Sequence, residues 1–530
     1  MNIGFDEILH TPVVSTDNIA VSPTGNHVVS SSLYSDTFSE KPSRSNERPV
    51  KIINGASDTI GFFGEHVYML AVASGDVVRI LDFHNHTNLA TMVIRPGSLF
   101  VPDSAEAPFV GVVSPHGRAF LIDEHAQIIP TDVSVDARST VLWTSTARPV
   151  GEIWSDENGA NLFIRSAGDK GSIITSSHGI SVFAVWANPH TRHHEVYFTV
   201  DNKPNEMKMA ISSDEGAVVE DVFAFEPGIE ITQVLKKPDG ELLAAIGFGS
   251  SRVHMHCLEE EGTSQLYEMM RGVVEDETRL TYPKMVGKNT YVSWTQTPVT
   301  TPVPAVLQYA IEGRPRYEIK GNRIDTKPIR PVTNQVIDFK VSKDYTLSYR
   351  VVSPYEIDGE VDYIAERMVV IADEFGYDAS GSFSPTVKML YQLGIPVAIV
   401  PFRDTGEDNR RIDMTNFIPD LIDVARHVEY KGFTTKTVLI GNDDMCLPVL
   451  EAAKRKNAKV EKVILINPHN KVAEKIAHRR LKGKVVSAYF GVNEEDIDNP
   501  ETSVYFDTDG LEEREIHNNV ANFIEEHLLY

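Results

Sequence analysis

Short runs of alternating apolar and polar residues dominate the first two thirds of the chain. Between about residues 15 and 335 they include positions 19–21, 27–31, 66–72, 77–82 and 196–200, separated by turn residues. A period of two puts successive side chains on opposite faces of a strand, and stretches with helical period are scarce, so the region reads as all-β. One shape recurs in it: VSPTGNHVVSSS (21–32), VSPHGRAFLID (113–123), WSDENGANLFIRS (154–166) and KKPDGELLAAIG (236–247). Each is a polar turn with Gly followed by a strand. Gly supplies positive φ and Pro presets φ for a tight turn. The spacings are irregular but fall near multiples of roughly 40–45 residues, the length of one four-stranded propeller blade. The pattern predicts a β-propeller of seven blades, with a large β-sandwich or two β domains as the alternative.

From about residue 345 the period changes. RMVVIADEF (367–375) and IPVAIVPFR (395–403) are continuous apolar strands, while SPTVKMLYQLG (384–394) and NFIPDLIDVARHVEYKG (416–432) have helical spacing and stop at Gly. KTVLIGN (436–442) is a strand that runs into a helix at MCLPVLEAAKRKN (445–457). Further strands follow at 460–468, 484–491 and 503–507, then a terminal helix from about 512 to 528 with Ile516, Val520, Phe523 and Ile524 on one face. Strands alternating with helices predict a doubly wound, mostly parallel sheet on which the last helix packs. The expected division is 1–340 for the propeller and 341–530 for the α/β domain, with the first few residues a candidate for packing on the latter.

Bulk properties narrow the function classes. At 530 residues the chain exceeds what one core supports. A net charge of −25 argues against a nucleic-acid backbone or an anionic membrane as the main partner. Cys257 and Cys446 are the two cysteines and fall in different predicted domains, which fits a reducing compartment rather than a disulfide framework. The start carries no basic stretch followed by a long apolar run, and no apolar segment reaches membrane-spanning length, so the cytoplasm is expected. NPHTRHHE (188–195) and FHNH (83–86) concentrate histidine without the fixed spacing of a zinc motif, and the first reads as a hairpin tip. SEKPSRSNERP (39–49) reads as a long polar loop and LEEEG (258–262) as a solvated turn. GFGSS (247–251) lacks the Lys and helix of a phosphate cradle, and no cofactor or metal is expected.

The strand-to-helix junction Gly441-Asn442-Asp443-Asp444-Met445 stands where many hydrolases carry G-x-S-x-G. With FGYDASGSFSP (375–385), FRDTGED (402–408) and FIPDLIDVARHVEYKGFT (417–434) in order before it, the C-terminal half resembles the prolyl oligopeptidase family of serine peptidases. The resemblance covers about residues 345–500. It implies a β-propeller followed by an α/β-hydrolase-like domain, with a peptide-binding cavity between them. In FRDTGED, Arg403, Gly406 and Glu407 match the family's R-G-G-G-E stretch.

The catalytic positions depart from that family. Asp443 stands for the nucleophilic Ser, and Ala372 for a Tyr that would donate to the oxyanion; a methyl group donates nothing. Asp496, in DIDNP, matches the family acid, but the loop at 507–515 contains no His. A serine mechanism needs hydroxyl, base and oxyanion donors together. The resemblance therefore implies a pseudoenzyme that binds a peptide or protein, with no catalytic set intact. Two alternatives stay open: a hydrolase using Asp443 as a carboxylate nucleophile, and a scaffold acting through the propeller alone. The Asp443 turn is also readable as a plain helix start, since Asn and Asp cap helices and Met445 in place of Gly predicts a relaxed turn. Cys446 reads as a buried structural thiol, and His517 as a surface residue. Glu374, Phe375, Arg403, Asp404, Asn442, Asp443 and Asp444 are the candidate ligand-binding residues, all near strand ends where α/β ligand sites form. The acidic rim they would make suits a cationic group such as a peptide N-terminus. Oligomeric state is left open.

Overall fold

A computed structural model of the chain describes residues 19–22, 27–31, 37–40, 50–54, 57–64, 69–102, 107–165, 171–191, 193–213, 216–237, 240–249, 252–259, 265–287, 290–309, 315–318, 331–343, 345–357, 364–372, 384–401, 414–468, 485–490, 503–506 and 513–529. The expected site residues Glu374, Phe375, Arg403, Asp404 and Asp496 lie outside them, as does the loop at 507–512.

Among the described residues, seven antiparallel sheets follow one another along the first part of the chain. They span residues 19–53, 59–93, 109–134, 140–176, 180–224, 230–257 and 280–318. Five have four strands and two, the third and sixth, have three, each strand pairing with its neighbour in sequence. This succession is that of a β-propeller. The recurrent turn glycines sit in hairpins at positive φ: Gly117 at 85°, Gly159 at 129° and Gly240 at 91°. At Gly117 a Cβ would meet the Val135 carbonyl oxygen at 2.1 Å, so both conformation and space demand glycine. Their phase differs. Gly117 and Gly240 join the first and second strands of their sheets, but Gly159 joins the second and third, which explains the uneven spacing of the repeat. One helix, α1 (Gln265–Val274), follows the sixth sheet and buries Tyr267, Met270 and Val274 against Leu243, Ile246 and Met255.

The remaining strands form one eight-stranded sheet: β1 (Thr333–Lys340), β2 (Thr346–Ser353), β3 (Ala365–Ala372), β4 (Val397–Val400), β5 (Thr434–Asn442), β6 (Val460–Ile466), β7 (Val485–Phe490) and β8 (Ser503–Phe506). Their spatial order is β1-β2-β4-β3-β5-β6-β7-β8. β1 and β2 form a hairpin, β2 runs antiparallel to β4, and the pairs from β4 onward are parallel. The central strands are buried on both faces, as their continuous apolar runs require. α2 (Pro385–Gln392) and α5 (Glu513–Leu529) cover one face with Val387, Leu390, Phe523, Ile524 and Leu528. α3 (Met414–Tyr430) and α4 (Cys446–Lys454) cover the other with Phe417, Leu421, Val428, Val449 and Leu450. The expected glycine stops are Gly394 (φ 78°) and Gly432 (φ 75°). Val520, Phe523 and Ile524 pack on the sheet as expected, while the side chains of Ile516 and His517 lie outside the described residues. Among the described residues no helix is long and apolar enough to cross a membrane.

Candidate functional site

β5 is central in the sheet, and at its C-terminal end the chain leaves the strand through a single 3-10 turn, Asp443–Met445, and enters α4. Asp443 has φ 44°, one of five non-glycine residues at positive φ among those described. Gly441 lets the returning helix close on the strand: a Cβ there would lie 2.7 Å from the Met445 carbonyl oxygen and 3.0 Å from Cys446 Cα. The turn is therefore tight and left-handed, against the expectation that Met445 relaxes it. Met445 is fully buried and packs with Ala372 and Val449, so its bulk goes into the core rather than into the turn. Nor does Asn442 act as a helix cap. Its backbone is extended, and its side chain makes no capping hydrogen bond. Asn442 Oδ1 is buried and accepts none.

The Asp443 carboxylate is held across the sheet. Asn467, just past β6, donates from Nδ2 to Asp443 Oδ1 at 2.7 Å. Asn467 is itself left-handed, with φ 52°, and its backbone N–H bonds the Ala488 carbonyl of β7 at 2.7 Å. Two adjacent parallel strands thus end in paired left-handed residues joined side chain to side chain. Asp and Asn are among the non-glycine residues that accept this conformation most readily. Asp443 is half-buried and Asp444 exposed, and both stand in the first turn, where the helix dipole favours negative charge.

Ala372 ends β3, next to β5, and is buried with its methyl in the core shared with Met445 and Cys446. Cys446 is fully buried, and its thiol donates to the carbonyls of Gly441 at 3.1 Å and Ile466 at 3.3 Å, tying α4 to β5 and β6. Both cysteines are thiols. The structure thus brings together Ala372, Asn442, Asp443 and Asp444 at one edge of the sheet. Asn467 was missed from sequence. Its signal was the one used for the others, a polar residue ending a parallel strand, applied to β3, β4 and β5 but not to β6.

The histidine-rich 188–195 stretch is a hairpin tip between strands Ile180–Ala187 and His194–Val200. Glu195 is buried and accepts from Tyr197 Oη at 2.7 Å and Asn188 Nδ2 at 2.6 Å, so its carboxylate serves the hairpin. Burial pushes the His194 imidazole below its usual range, and His194 Nδ1 lies 3.4 Å from the Arg165 carbonyl.

No family model matches the chain, and no curated protein matches it by sequence. Among solved structures it is similar to a protein determined in a study of two prolyl endopeptidases and the role of inter-domain dynamics in their catalysis and specificity. The likeness covers 98% of this chain and 90% of that one, with a TM-score of 0.60 at 9% sequence identity. At that identity the likeness is one of fold: the chain has a prolyl endopeptidase-like scaffold over nearly its whole length.

Proposed function

We propose that this chain is a pseudoenzyme on the prolyl oligopeptidase scaffold, with a seven-bladed propeller and an α/β-hydrolase-like domain, that binds a peptide or protein in the cytoplasm without cleaving it. The observation that carries the reading is the turn at Asp443. Its tight left-handed geometry is that of a strand-to-helix elbow that presents a nucleophile. Yet the residue presented is a carboxylate already bonded to Asn467, with the buried methyl of Ala372 on the neighbouring strand. Such a turn keeps the position of a catalytic site and lacks its parts: no hydroxyl to attack and no donor on Ala372 for an oxyanion. An anionic site of this kind suits a cationic group, and a peptide N-terminus fits that description.

The test has two arms. Protein recovered from its native source is analysed by mass spectrometry for retained peptides. Those peptides are then titrated calorimetrically in free and N-acetylated forms against the wild type and Asp443→Asn. Binding that is lost on acetylation and on Asp443→Asn is expected. Equal binding of all four combinations rules out the amine contact.

One observation favours a second reading, a hydrolase with Asp443 as nucleophile: the left-handed turn is kept although Met445 replaces Gly. Attack by Oδ2 on a peptide carbonyl would break the C–N bond, release the protonated amine and leave a mixed anhydride, which water must then hydrolyse to the free acid and the Asp443 carboxylate. Peptide turnover that disappears in Asp443→Ala would establish this reading. Labelling by a fluorophosphonate probe at any serine would overturn both.

A further inference from the structure

Two separate anchors join the antiparallel sheets to the eight-stranded sheet among the described residues. The first is apolar. The turn between strands Thr290–Thr297 and Thr300–Tyr309 of the seventh sheet carries Pro298 and Val299, both buried. Val299 is 1% exposed and is a member of the core formed by α2, α5 and β2–β7. It is the one residue of the antiparallel sheets in that core among those described. The Pro298 carbonyl accepts from the backbone N–H of Ser384 at 3.0 Å, and the Ser384 hydroxyl caps α2 by accepting from Val387 N.

The second anchor is ionic. Arg252, on the last strand of the sixth sheet, forks onto Asp338 of β1 through Nη1–Oδ1 at 2.9 Å and Nη2–Oδ2 at 2.8 Å. Its Nε donates to Glu277 at 2.6 Å. Asp338 also accepts from Ser348 Oγ of β2 at 2.6 Å, which fixes its orientation. Behind this pair lies Arg350 of β2, 3% exposed, donating to the Glu277 carbonyl at 2.7 Å and to Asn334 Oδ1 at 3.0 Å. Asn334 in turn donates to the Thr278 carbonyl. The loop after α1 is thus gripped by β1 and β2 through its main-chain carbonyls at Glu277 and Thr278.

We propose that these two anchors lock the sixth and seventh antiparallel sheets and the eight-stranded sheet into one body, so that the two domains do not hinge apart at this junction. The physical argument is the pairing of two unlike contacts. Exposed ion pairs alone contribute little and yield to salt. A fully buried side chain that leaves its pocket exposes apolar area on both partners. A buried guanidinium torn from its acceptors leaves a charge without those hydrogen bonds. Opening at this edge requires all of these losses together. The inference does not depend on what the Asp443 site binds.

The test measures a distance by double electron–electron resonance in the full chain. Spin labels go on two exposed positions, Leu89→Cys in the second sheet and Tyr430→Cys on α3, in a Cys257→Ser background; Cys446 is buried. A single narrow distance is expected in the otherwise wild-type chain. A broad or two-population distribution overturns the proposal. Arg252→Glu with Val299→Ala is expected to add a second, longer population, and an unchanged distribution overturns the assignment of these anchors. Arg252→Glu alone changes only a partly exposed side chain and serves if the double variant does not fold. It is expected to broaden the distance distribution relative to the wild type at the same salt. Adding Asp338→Arg is expected to restore it, and failure of both effects removes Arg252 from the lock.

Discussion

Asp443 holds a backbone conformation that costs an L-residue roughly 1–2 kcal/mol. Its hydrogen bond to Asn467 offsets part of that cost. Asp443→Ala keeps the strain and loses the bond, so it is expected to destabilise by about 1–2 kcal/mol, read as a lower urea midpoint. Asp443→Gly also loses the bond but relieves the strain, so its midpoint should lie closer to wild type. The order Ala below Gly is the check, and the reverse order would show that the turn is not strained. Two residues upstream, Gly441→Ala places a methyl 2.7 Å from the Met445 oxygen. The strand–helix contact is made of main chain and cannot rotate away, so a loss of about 1–3 kcal/mol is expected in the same assay. The strand-to-helix junction at Asp443 was legible from the motif alone. Its conformation was not, because Asn and Asp suit a helix cap and a left-handed turn equally well.

At the scale of elements, α5 and α3 show how the eight-stranded sheet is closed. Ile524 is fully buried among β-sheet residues, and Ile524→Ala is expected to cost about 2–5 kcal/mol in chemical denaturation. On the other face, the His427 ring of α3 stacks on Phe339 of β1 at 4.1 Å and bonds Tyr349 Oη of β2 at 3.0 Å. Tyr349 is fully buried, and burial pushes its phenol well above the usual range. Tyr349→Phe leaves His427 Nδ1 without this partner, so a loss of about 1–2 kcal/mol is expected by the same measurement. The parallel strands and their helices were legible because continuous apolar runs and glycine stops are local signals. α1 was not: it lies within a region of period two, and its helical face is defined by the sixth sheet it packs on. Residues 333–340 alternate like the strands before them, and pairing with β2 is what assigns them to the eight-stranded sheet.

For the whole molecule, acid response follows from histidines in both parts of the chain. His194, His256, His427 and His527 are all shifted below their ordinary 6.5 chiefly by burial. The folded state then resists protonation that the unfolded chain accepts. The unfolded state binds more protons below 6.5, so stability is full above that value and falls as pH drops from it toward the lowered folded values. Burial raises the Asp338 and Glu461 carboxyls, but their basic partners, Arg252 and Arg367, outweigh it and hold them down, so they act in a separate window below their ordinary 3.8 and 4.5. The urea midpoint is therefore expected to fall between about pH 7 and pH 5, before those carboxylates titrate. His427→Gln is expected to shallow that slope, and an unchanged slope would remove His427 from the acid response.

The sequence by itself determined the periods: two in the first part, apolar runs alternating with helices in the second, and the order of motifs that pointed to a prolyl oligopeptidase scaffold. It also determined residue chemistry at two positions, because Asp at 443 offers no alcohol hydroxyl and Ala at 372 no hydrogen-bond donor from its side chain in any fold. Tertiary structure decided the rest. Only the side-by-side ends of β5 and β6 bring Asn467 to Asp443 across 24 positions of chain. Only the packing of α4 on β5 makes Gly441 obligatory and the turn tight. Only the meeting of the two parts of the chain joins Arg252 to Asp338, 86 positions apart. Such contacts depend on which strands become neighbours, and a local pattern of polar and apolar residues does not encode that.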